Sequence, residues 1–174
     1  ALGAYSPADM TVRGMMPDPE GLYTFFRRTT RVPEGGIALD GLTDRLAGNE
    51  QVLCIVNTRK LAQKLYEALR KHEGTYHLST LMYPQHRRRV LAEIRERLKE
   101  GLPCRVISTS LIEAGVDVSF PVLYREEAGL DSIIQAAGRC NREGKFAAED
   151  SRVYVFALTG DDASRPPAST QQAT

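Results

Sequence analysis

Unbroken apolar runs alternate with helical periodicities along most of the chain. The clearest run is Val52–Val56, where five apolar residues follow one another without polar alternation. This pattern is typical of a strand that is covered on both faces, as in a parallel sheet. Other strand-like runs are Gly21–Val32, Thr75–Met82, Pro103–Thr109, Pro121–Glu126 and Ser151–Leu158.

Three amphipathic helices are predicted between these strands, over Ile37–Gly48, Thr58–Gly74 and Pro84–Gly101. Asn57 or Thr58 is expected to cap the second helix, and Pro84 to open the third. A glycine ends each helix. The inward-facing residues are Leu39, Leu42 and Leu46 in the first helix, Leu61, Leu65, Ala68 and Leu69 in the second, and Val90, Leu91, Ile94 and Leu98 in the third.

A fourth helix is predicted over Leu130–Gly144, and its polar face is unusual. Gln135, Arg139 and Arg142 are aligned on this face at i, i+4 and i+7. Gly138 lies beside them, although a glycine inside a helix costs about 1 kcal/mol relative to alanine. Packing alone therefore does not explain this segment. Its expected buried stripe consists of Leu130, Ile133, Ile134 and Ala137.

The order of strands and helices predicts an α/β fold, in which a mainly parallel sheet carries helices on both faces. The domain is expected within residues 21–160. Residues 1–20 show no hydrophobic period and are interpreted as a linker or irregular arm. Residues 161–174 are polar and rich in proline, and they are interpreted as a flexible tail.

Composition narrows the possible functions. The chain has 23 lysines and arginines and 22 acidic residues, so a nucleic acid would have to bind a local surface. No apolar run approaches the ~20 residues that span a bilayer, and no membrane partner is expected. The three separated cysteines, Cys54, Cys104 and Cys140, are interpreted as reduced thiols of a cytoplasmic protein. The chain starts without methionine, as expected of a piece excised from a larger protein.

Polar side chains follow several of the predicted strands. Because open parallel sheets bind ligands at the carboxyl ends of their strands, we expect these side chains to converge on one edge. Hydroxyl, amide and guanidinium groups suit phosphate oxygens. The alternative interpretation of Asn57 and Thr58 is that they only cap a helix. The residues concerned are Asn57, Thr58, Ser79, Thr109, Asp117, Gln135, Arg139 and Arg142.

The chain contains neither a GxxxxGK[ST] loop nor an acidic magnesium motif. A nucleotide that contacts this edge would therefore have to be held by a facing domain. Arg139 and Arg142 fit the role of arginine fingers supplied to that domain. The histidines, His72, His77 and His86, do not form a metal-binding pattern, and no metal site is expected.

Two motifs carry a resemblance to a known family. Thr109, Gly115 and Asp117 have the TxxxxxGxD spacing of the fifth motif of superfamily 2 helicases. The sixth motif, QxxGRxxR, is matched by Gln135, Gly138, Arg139 and Arg142. The wider string CRVISTSLIEAGVDVSFPVLYREEAGLDSIIQAAGRCNREGK resembles the second motor lobe of the CRISPR-associated helicase-nucleases of type I systems. The resemblance extends over residues 51–158.

The resemblance implies a RecA-like three-layer αβα lobe that closes on a first lobe over ATP. Arg139 and Arg142 would approach the γ-phosphate, and Gln135 would position the phosphate or the attacking water. Gly115 and Asp117 would contribute to nucleotide binding, with Asp117 bonding the ribose or orienting an arginine. The residues expected to grip the backbone of single-stranded DNA are Asn57, Thr58, Ser79 and Thr109.

The implied partners are the first RecA-like lobe, which would hold Mg²⁺ with ATP, single-stranded DNA, and the CRISPR RNA-guided effector complex. The isolated chain is not expected to hydrolyse ATP. Two alternatives remain: a lobe of another superfamily 2 motor, such as an RNA helicase or restriction translocase, and a RecA-like adaptor without motor activity.

The run Arg87–Arg89 is interpreted as a solvated helix face, with glutamates at helical spacing from Glu93 onwards.

Overall fold

The computed structural model describes residues 29–79, 81–109 and 117–160, and the strands within these ranges form one six-stranded sheet. The strand order is β1-β6-β5-β2-β4-β3, and every pair of neighbours is parallel. The strands are β1 (Thr30–Ile37), β2 (Gln51–Val56), β3 (Thr75–Leu78), β4 (Cys104–Thr109), β5 (Val122–Glu126) and β6 (Arg152–Leu158). The helices are α1 (Leu39–Ala47), α2 (Arg59–Leu69), α3 (Pro84–Glu100) and α4 (Leu130–Ala137).

Two apolar layers cover the sheet. Leu42 of α1 and Leu65 of α2 are fully buried against one face, in a cluster that includes Val56 and Phe156. Ile94 of α3 and the buried Ala136 of α4 lie in the cluster on the other face. The structure thus has three layers, and the expected α/β fold with a parallel sheet is confirmed.

The predicted helix bounds are confirmed at most ends. Gly48 ends α1, Pro84 opens α3, and Gly101 ends α3 in the left-handed conformation with φ +72°. Thr58, rather than Asn57, caps α2, because its side chain accepts a hydrogen bond from the Leu61 N–H at 3.2 Å.

The predicted end of α2 at Gly74 is wrong. The helix ends at Leu69, and Gly74 lies in the following turn with φ +71°. A Cβ atom at Gly74 would lie 1.9 Å from the Pro103 carbonyl oxygen, so this turn requires glycine for space as well as conformation. In the same helix Ala62, not Ala68, is buried.

The fourth helix departs furthest from its prediction. It ends at Ala137, and Gly138 forms its C-cap instead of lying inside it. The predicted buried stripe is wrong as well, because Leu130 and Ile134 are 64% and 59% exposed. Ala136 is the buried residue of α4.

The first strand also differs from its prediction. It extends over Thr30–Ile37, beyond the predicted end at Val32. The predicted arm at residues 1–20, the predicted start of this strand and the predicted tail at 161–174 lie outside the described residues.

The three cysteines are buried and free, which agrees with their interpretation as reduced core thiols. No helix in the described parts of the chain is long and apolar enough to cross a membrane.

Candidate functional site

Four of the predicted site residues lie together at the carboxyl ends of three adjacent strands. Asn57 and Thr58 follow β2, Thr109 ends β4, and Ser79 follows β3. Val56 is opposite Thr109 in the register, and Leu78 is opposite Ser108. Because neighbouring strands are about 4.8 Å apart, these residues span a row on the order of 10 Å long. We refer to Asn57, Thr58, Ser79 and Thr109 as the carboxyl-edge row.

Two hydroxyls of this row, those of Thr58 and Ser79, are held in place by local backbone contacts. Thr58 accepts from the Leu61 N–H, and the Ser79 Oγ accepts from the Leu81 N–H at 3.2 Å. A hydroxyl that accepts one hydrogen bond still has its own hydrogen to donate. Thr109 is buried at the end of β4. Capping by Thr58 is therefore compatible with donation to a phosphate oxygen.

Asn57 ties β2 to β5 through three hydrogen bonds. Its backbone N–H donates to a carboxylate oxygen of Glu126 at 2.6 Å, and its Nδ2 donates to the Glu127 carbonyl at 2.8 Å. Its Oδ1 accepts from the Arg125 guanidinium at 2.8 Å. Arg125 and Glu126 are both buried. Sequence reasoning missed this pair, although two charges at the end of an apolar strand are a signal of a buried polar network.

A second group of predicted residues lies elsewhere. Asp117 and Arg142 form an ion pair of 2.9 Å between a carboxylate oxygen and a guanidinium nitrogen. The Arg95 side chain of α3 donates a further hydrogen bond to the Asp117 carbonyl at 2.9 Å. Sequence reasoning did not identify Arg95. We refer to Asp117, Arg139 and Arg142 as the arginine cluster.

The arginine cluster lies at the amino end of β5. Cys140, next to Arg139, pairs with Phe120, which precedes the first residue of β5. The Phe120 N–H donates to the Arg139 carbonyl at 3.0 Å, and the Asn141 N–H donates to the Phe120 carbonyl at 2.8 Å. The chain after α4 is therefore held beside the beginning of β5.

The expected convergence of all polar residues on one carboxyl edge is thus wrong. Because α4 starts after β5 and the chain then returns to Phe120, the arginines reach the other end of the strand. The five residues of β5 span roughly 17 Å, and this length separates the arginine cluster from the carboxyl edge. The site consists of two surfaces at opposite ends of the sheet. The carboxyl-edge row lies at the carboxyl ends of β2, β4 and β3, and the arginine cluster lies at the amino end of β5.

Asn141 shapes the loop that carries Arg142. It has a positive φ of 47°, which asparagine tolerates better than most residues. Its side chain forms two hydrogen bonds with the backbone of Phe146. Oδ1 accepts from the Phe146 N–H at 3.1 Å, and Nδ2 donates to the Phe146 carbonyl at 2.7 Å. The tolerance of asparagine for the left-handed region was the available signal, and sequence reasoning did not use it.

A groove of about 320 Å³ adjoins the arginine cluster. Asp117 and Phe146 line it, together with the cations Arg95, Lys99 and Lys145.

Among the other predicted site residues, Gln135 is exposed on α4. Gly115, the remaining predicted residue, lies outside the described residues.

No metal site is found in the described parts of the chain, where no three potential ligands from histidine, cysteine or acidic residues come together. His77 stacks on Tyr66 with ring centroids 5.6 Å apart, and burial lowers the pKa of its imidazole.

Comparison with known proteins places this geometry in context. Residues 48–145 match the family of C-terminal domains of the CRISPR-associated nuclease/helicase Cas3. The nuclease/helicase Cas3 of Haloferax volcanii is 45% identical over 80 residues, which cover 45% of this chain and 8% of that protein. The Cas3 of Methanothermobacter thermautotrophicus is 29% identical over 109 residues, covering 62% of this chain and 13% of that protein.

The crystal structure of T. fusca Cas3-ATP superimposes on this chain with a TM-score of 0.63 at 18% sequence identity. The match covers 81% of this chain and 20% of that one. The likeness supports the same RecA-like three-layer fold. The chain therefore spans a fifth or less of the length of these relatives.

Proposed function

Because the chain belongs to the family of C-terminal domains of the CRISPR-associated nuclease/helicase Cas3, we propose that it is the second RecA-like motor lobe of an ATP-dependent translocase on single-stranded DNA. The single observation that carries this proposal is the division of the polar residues between the two ends of the sheet. A motor lobe needs one surface for the nucleotide and another for the strand it moves, and the two groups fit these roles.

The arginine cluster is proposed to face the nucleotide. Arg139 and Arg142 present guanidinium groups that stabilise the charge developing on a transferred phosphoryl group. The Asp117 carboxylate lies 2.9 Å from the Arg142 guanidinium and so would orient this guanidinium before the lobes close. Gln135, exposed on the helix before these arginines, would position the attacking water.

These residues fit ATP only as half of a site. The cations suit a triphosphate, but the chain has no GxxxxGK[ST] loop to hold it. The first lobe would supply that loop and the ligands of Mg²⁺. ATP, when bound there, supplies the phosphoryl group whose hydrolysis drives closure and opening of the lobes.

The carboxyl-edge row is proposed to contact the DNA backbone. Thr58 and Ser79 lie at the ends of β2 and β3, where their hydroxyls can donate to phosphates, and Thr109, buried at the end of β4, lies between them. Asn57 completes the row, and its hydrogen bonds to β5 keep the strand ends in register. Phosphate contacts of this kind carry no sequence information, as a translocase requires.

The proposed partners follow from the family. The relatives named Cas3 are nuclease/helicases associated with CRISPR, so this lobe would act with a CRISPR RNA-guided effector complex. The motif residues alone fit other superfamily 2 motors equally well. The match over residues 48–145 favours the CRISPR assignment.

The proposal is tested by ATP hydrolysis of this chain, of the first lobe made separately, and of the two lobes together. We expect DNA-stimulated hydrolysis only when both lobes are present. Strong hydrolysis by this chain alone would contradict the half-site arrangement. No gain on combining two folded lobes would favour the adaptor alternative.

A further inference from the structure

The turn between β3 and α3 presents two apolar side chains to solvent. Leu81 is 75% exposed and Tyr83 is 81% exposed. Met82, between them, packs against the core cluster beneath α3, so its neighbours project away from the protein. Ser79 anchors the two residues that follow position 80, because it accepts from the Leu81 N–H through Oγ and from the Met82 N–H through its carbonyl, both at 3.2 Å.

Cations adjoin these apolar side chains. Helix α3 carries Arg87–Arg89 near its start and no acidic residue in its first turn. The helix dipole disfavours cations at a helix start and falls off within the first turn, so it gives no reason for three arginines here. Within the described residues, none of the ion pairs joins Arg87–Arg89 to a glutamate of the helix. The pairing expected from the glutamate spacing is therefore not formed.

The position of this turn connects it to the carboxyl-edge row. Ser79 belongs to that row and also anchors Leu81. The apolar turn therefore extends the row past the edge strand β3, on the side where α3 begins. Hydroxyls, cations and an exposed aromatic ring follow one another along one edge of the sheet.

We propose that Tyr83 is a stacking platform for a nucleobase of single-stranded nucleic acid, flanked by Leu81. This inference rests on the proposed function, because the strand is the one that the carboxyl-edge row would hold. A cationic track combined with aromatic side chains is the common solution for binding single strands without sequence preference. Arg88 and Arg89 are exposed and neutralise the neighbouring phosphates.

The charge of the surface around Tyr83 distinguishes between a nucleic acid and a protein domain as its partner. One exposed leucine needs no explanation on a protein surface. Tyrosine and arginine occur at protein interfaces too. Three consecutive arginines that form none of the ion pairs in the described residues, next to a row of hydroxyls at the same sheet edge, suit a polyanion better. The observed combination therefore favours a nucleic acid over a protein partner.

The test compares two fluorescent oligomers of equal length, oligothymidine and an abasic deoxyribose phosphate chain, in the protein that carries both lobes. Tyr83→Ala should weaken oligothymidine binding by roughly tenfold, because one stacked base is lost. The same variant should bind the abasic oligomer like the unaltered protein. Tyr83→Phe keeps the ring and should bind both oligomers normally. Leu102→Ala removes an exposed apolar side chain from the loop before β4, at the opposite end of the sheet and outside both groups of residues, and serves as the control.

Other outcomes would overturn the inference. An equal loss on both oligomers would mean that Tyr83 acts on the backbone or on the turn. Unchanged binding with a lower melting temperature would mean that another protein segment covers Tyr83. In both cases the unaltered protein still binds oligothymidine, and the proposed function stands. If the unaltered protein binds neither oligomer, both proposals fail together.

Discussion

At the scale of single residues, the hydrogen bonds of the carboxyl-edge row differ in how far apart along the chain their two partners are. The cap formed by Thr58 involves a partner three positions away, so residue type and spacing are sufficient to predict it. Glu126 is 69 positions from Asn57, and this contact exists only because β2 and β5 are adjacent in the sheet. The same reason explains why Arg95, which is 22 positions from Asp117, was missed.

His77 is expected to make stability depend on pH. Burial lowers the pKa of its imidazole below the ordinary value of 6.5, so the unfolded chain binds the proton more readily than the folded chain. The free energy of unfolding is therefore unaffected by His77 above pH ~6.5 and decreases as the pH falls below that value.

Urea denaturation at about pH 7.5 and about pH 5.5 measures this effect. The unaltered chain should lose more stability between the two pH values than His77→Phe, which keeps a ring against Tyr66. His86→Phe is the control, because it makes the same substitution at an exposed position on α3. Equal losses in all three proteins would contradict the assignment to His77.

At the scale of elements, periodicity predicted which helices exist better than where they end. Helix α3 follows its prediction closely, since Pro84 and a left-handed Gly101 are local boundary signals. Helix α4 is shorter than predicted because the residues after Gly138 turn to pair with Phe120. That pairing is a tertiary contact and leaves no periodic signal. The exposed Leu130 and Ile134 show that apolar spacing alone does not establish burial.

Adding a single methyl group at Gly74, in the turn after α2, is expected to lower the free energy of unfolding strongly. Gly74→Ala forces a left-handed alanine and also places a Cβ atom 1.9 Å from the Pro103 carbonyl oxygen. Gly101→Ala has nearly the same positive φ but meets no atom within 4 Å. We expect Gly101→Ala to lower the free energy of unfolding by about 1 kcal/mol, the cost of the left-handed conformation.

Gly74→Ala should cost at least ~2 kcal/mol more than Gly101→Ala, because packed backbone must move. Chemical denaturation of the two variants in parallel gives the difference directly. Similar costs would mean that the backbone conformation, and not the contact with Pro103, makes glycine necessary at position 74.

At the scale of the whole molecule, the strand and helix order predicted the three-layer architecture, but not the separation of the polar residues. Carboxyl ends of parallel strands do meet at one edge, and the carboxyl-edge row follows that rule. Asp117 and Arg142 do not follow it, because both lie on segments that run back toward the amino end of β5. Only the connections between elements determine this, and the hydrophobic pattern does not contain them.

The separation predicts that the two proposed activities can be impaired independently. In the two-lobe protein, Arg142→Ala should lower kcat for ATP hydrolysis at least ~10³-fold, the usual contribution of an arginine finger. The Kd for single-stranded DNA should stay within about twofold, because the carboxyl edge is roughly 17 Å away. The exposed Arg142–Asp117 pair contributes about 1 kcal/mol or less to folding, so the melting temperature should change little.

Arg152→Ala is the matched control for this variant, since Arg152 is an exposed arginine at the start of β6, outside both groups of residues. It should retain full hydrolysis. If Arg142→Ala hydrolyses ATP normally, or if it loses DNA binding to the same extent as hydrolysis, the assignment of the two surfaces is wrong.

The buried cysteines make this lobe suited to site-specific labelling. Cys54, Cys104 and Cys140 are all enclosed, and burial raises the pKa of the Cys104 and Cys140 thiols to about 12. Few thiolates form at neutral pH, so maleimide reagents should leave the native thiols of the folded lobe unmodified. A fluorophore on one introduced surface cysteine, paired with another on the first lobe, would then report distances between the lobes during turnover without prior removal of native cysteines.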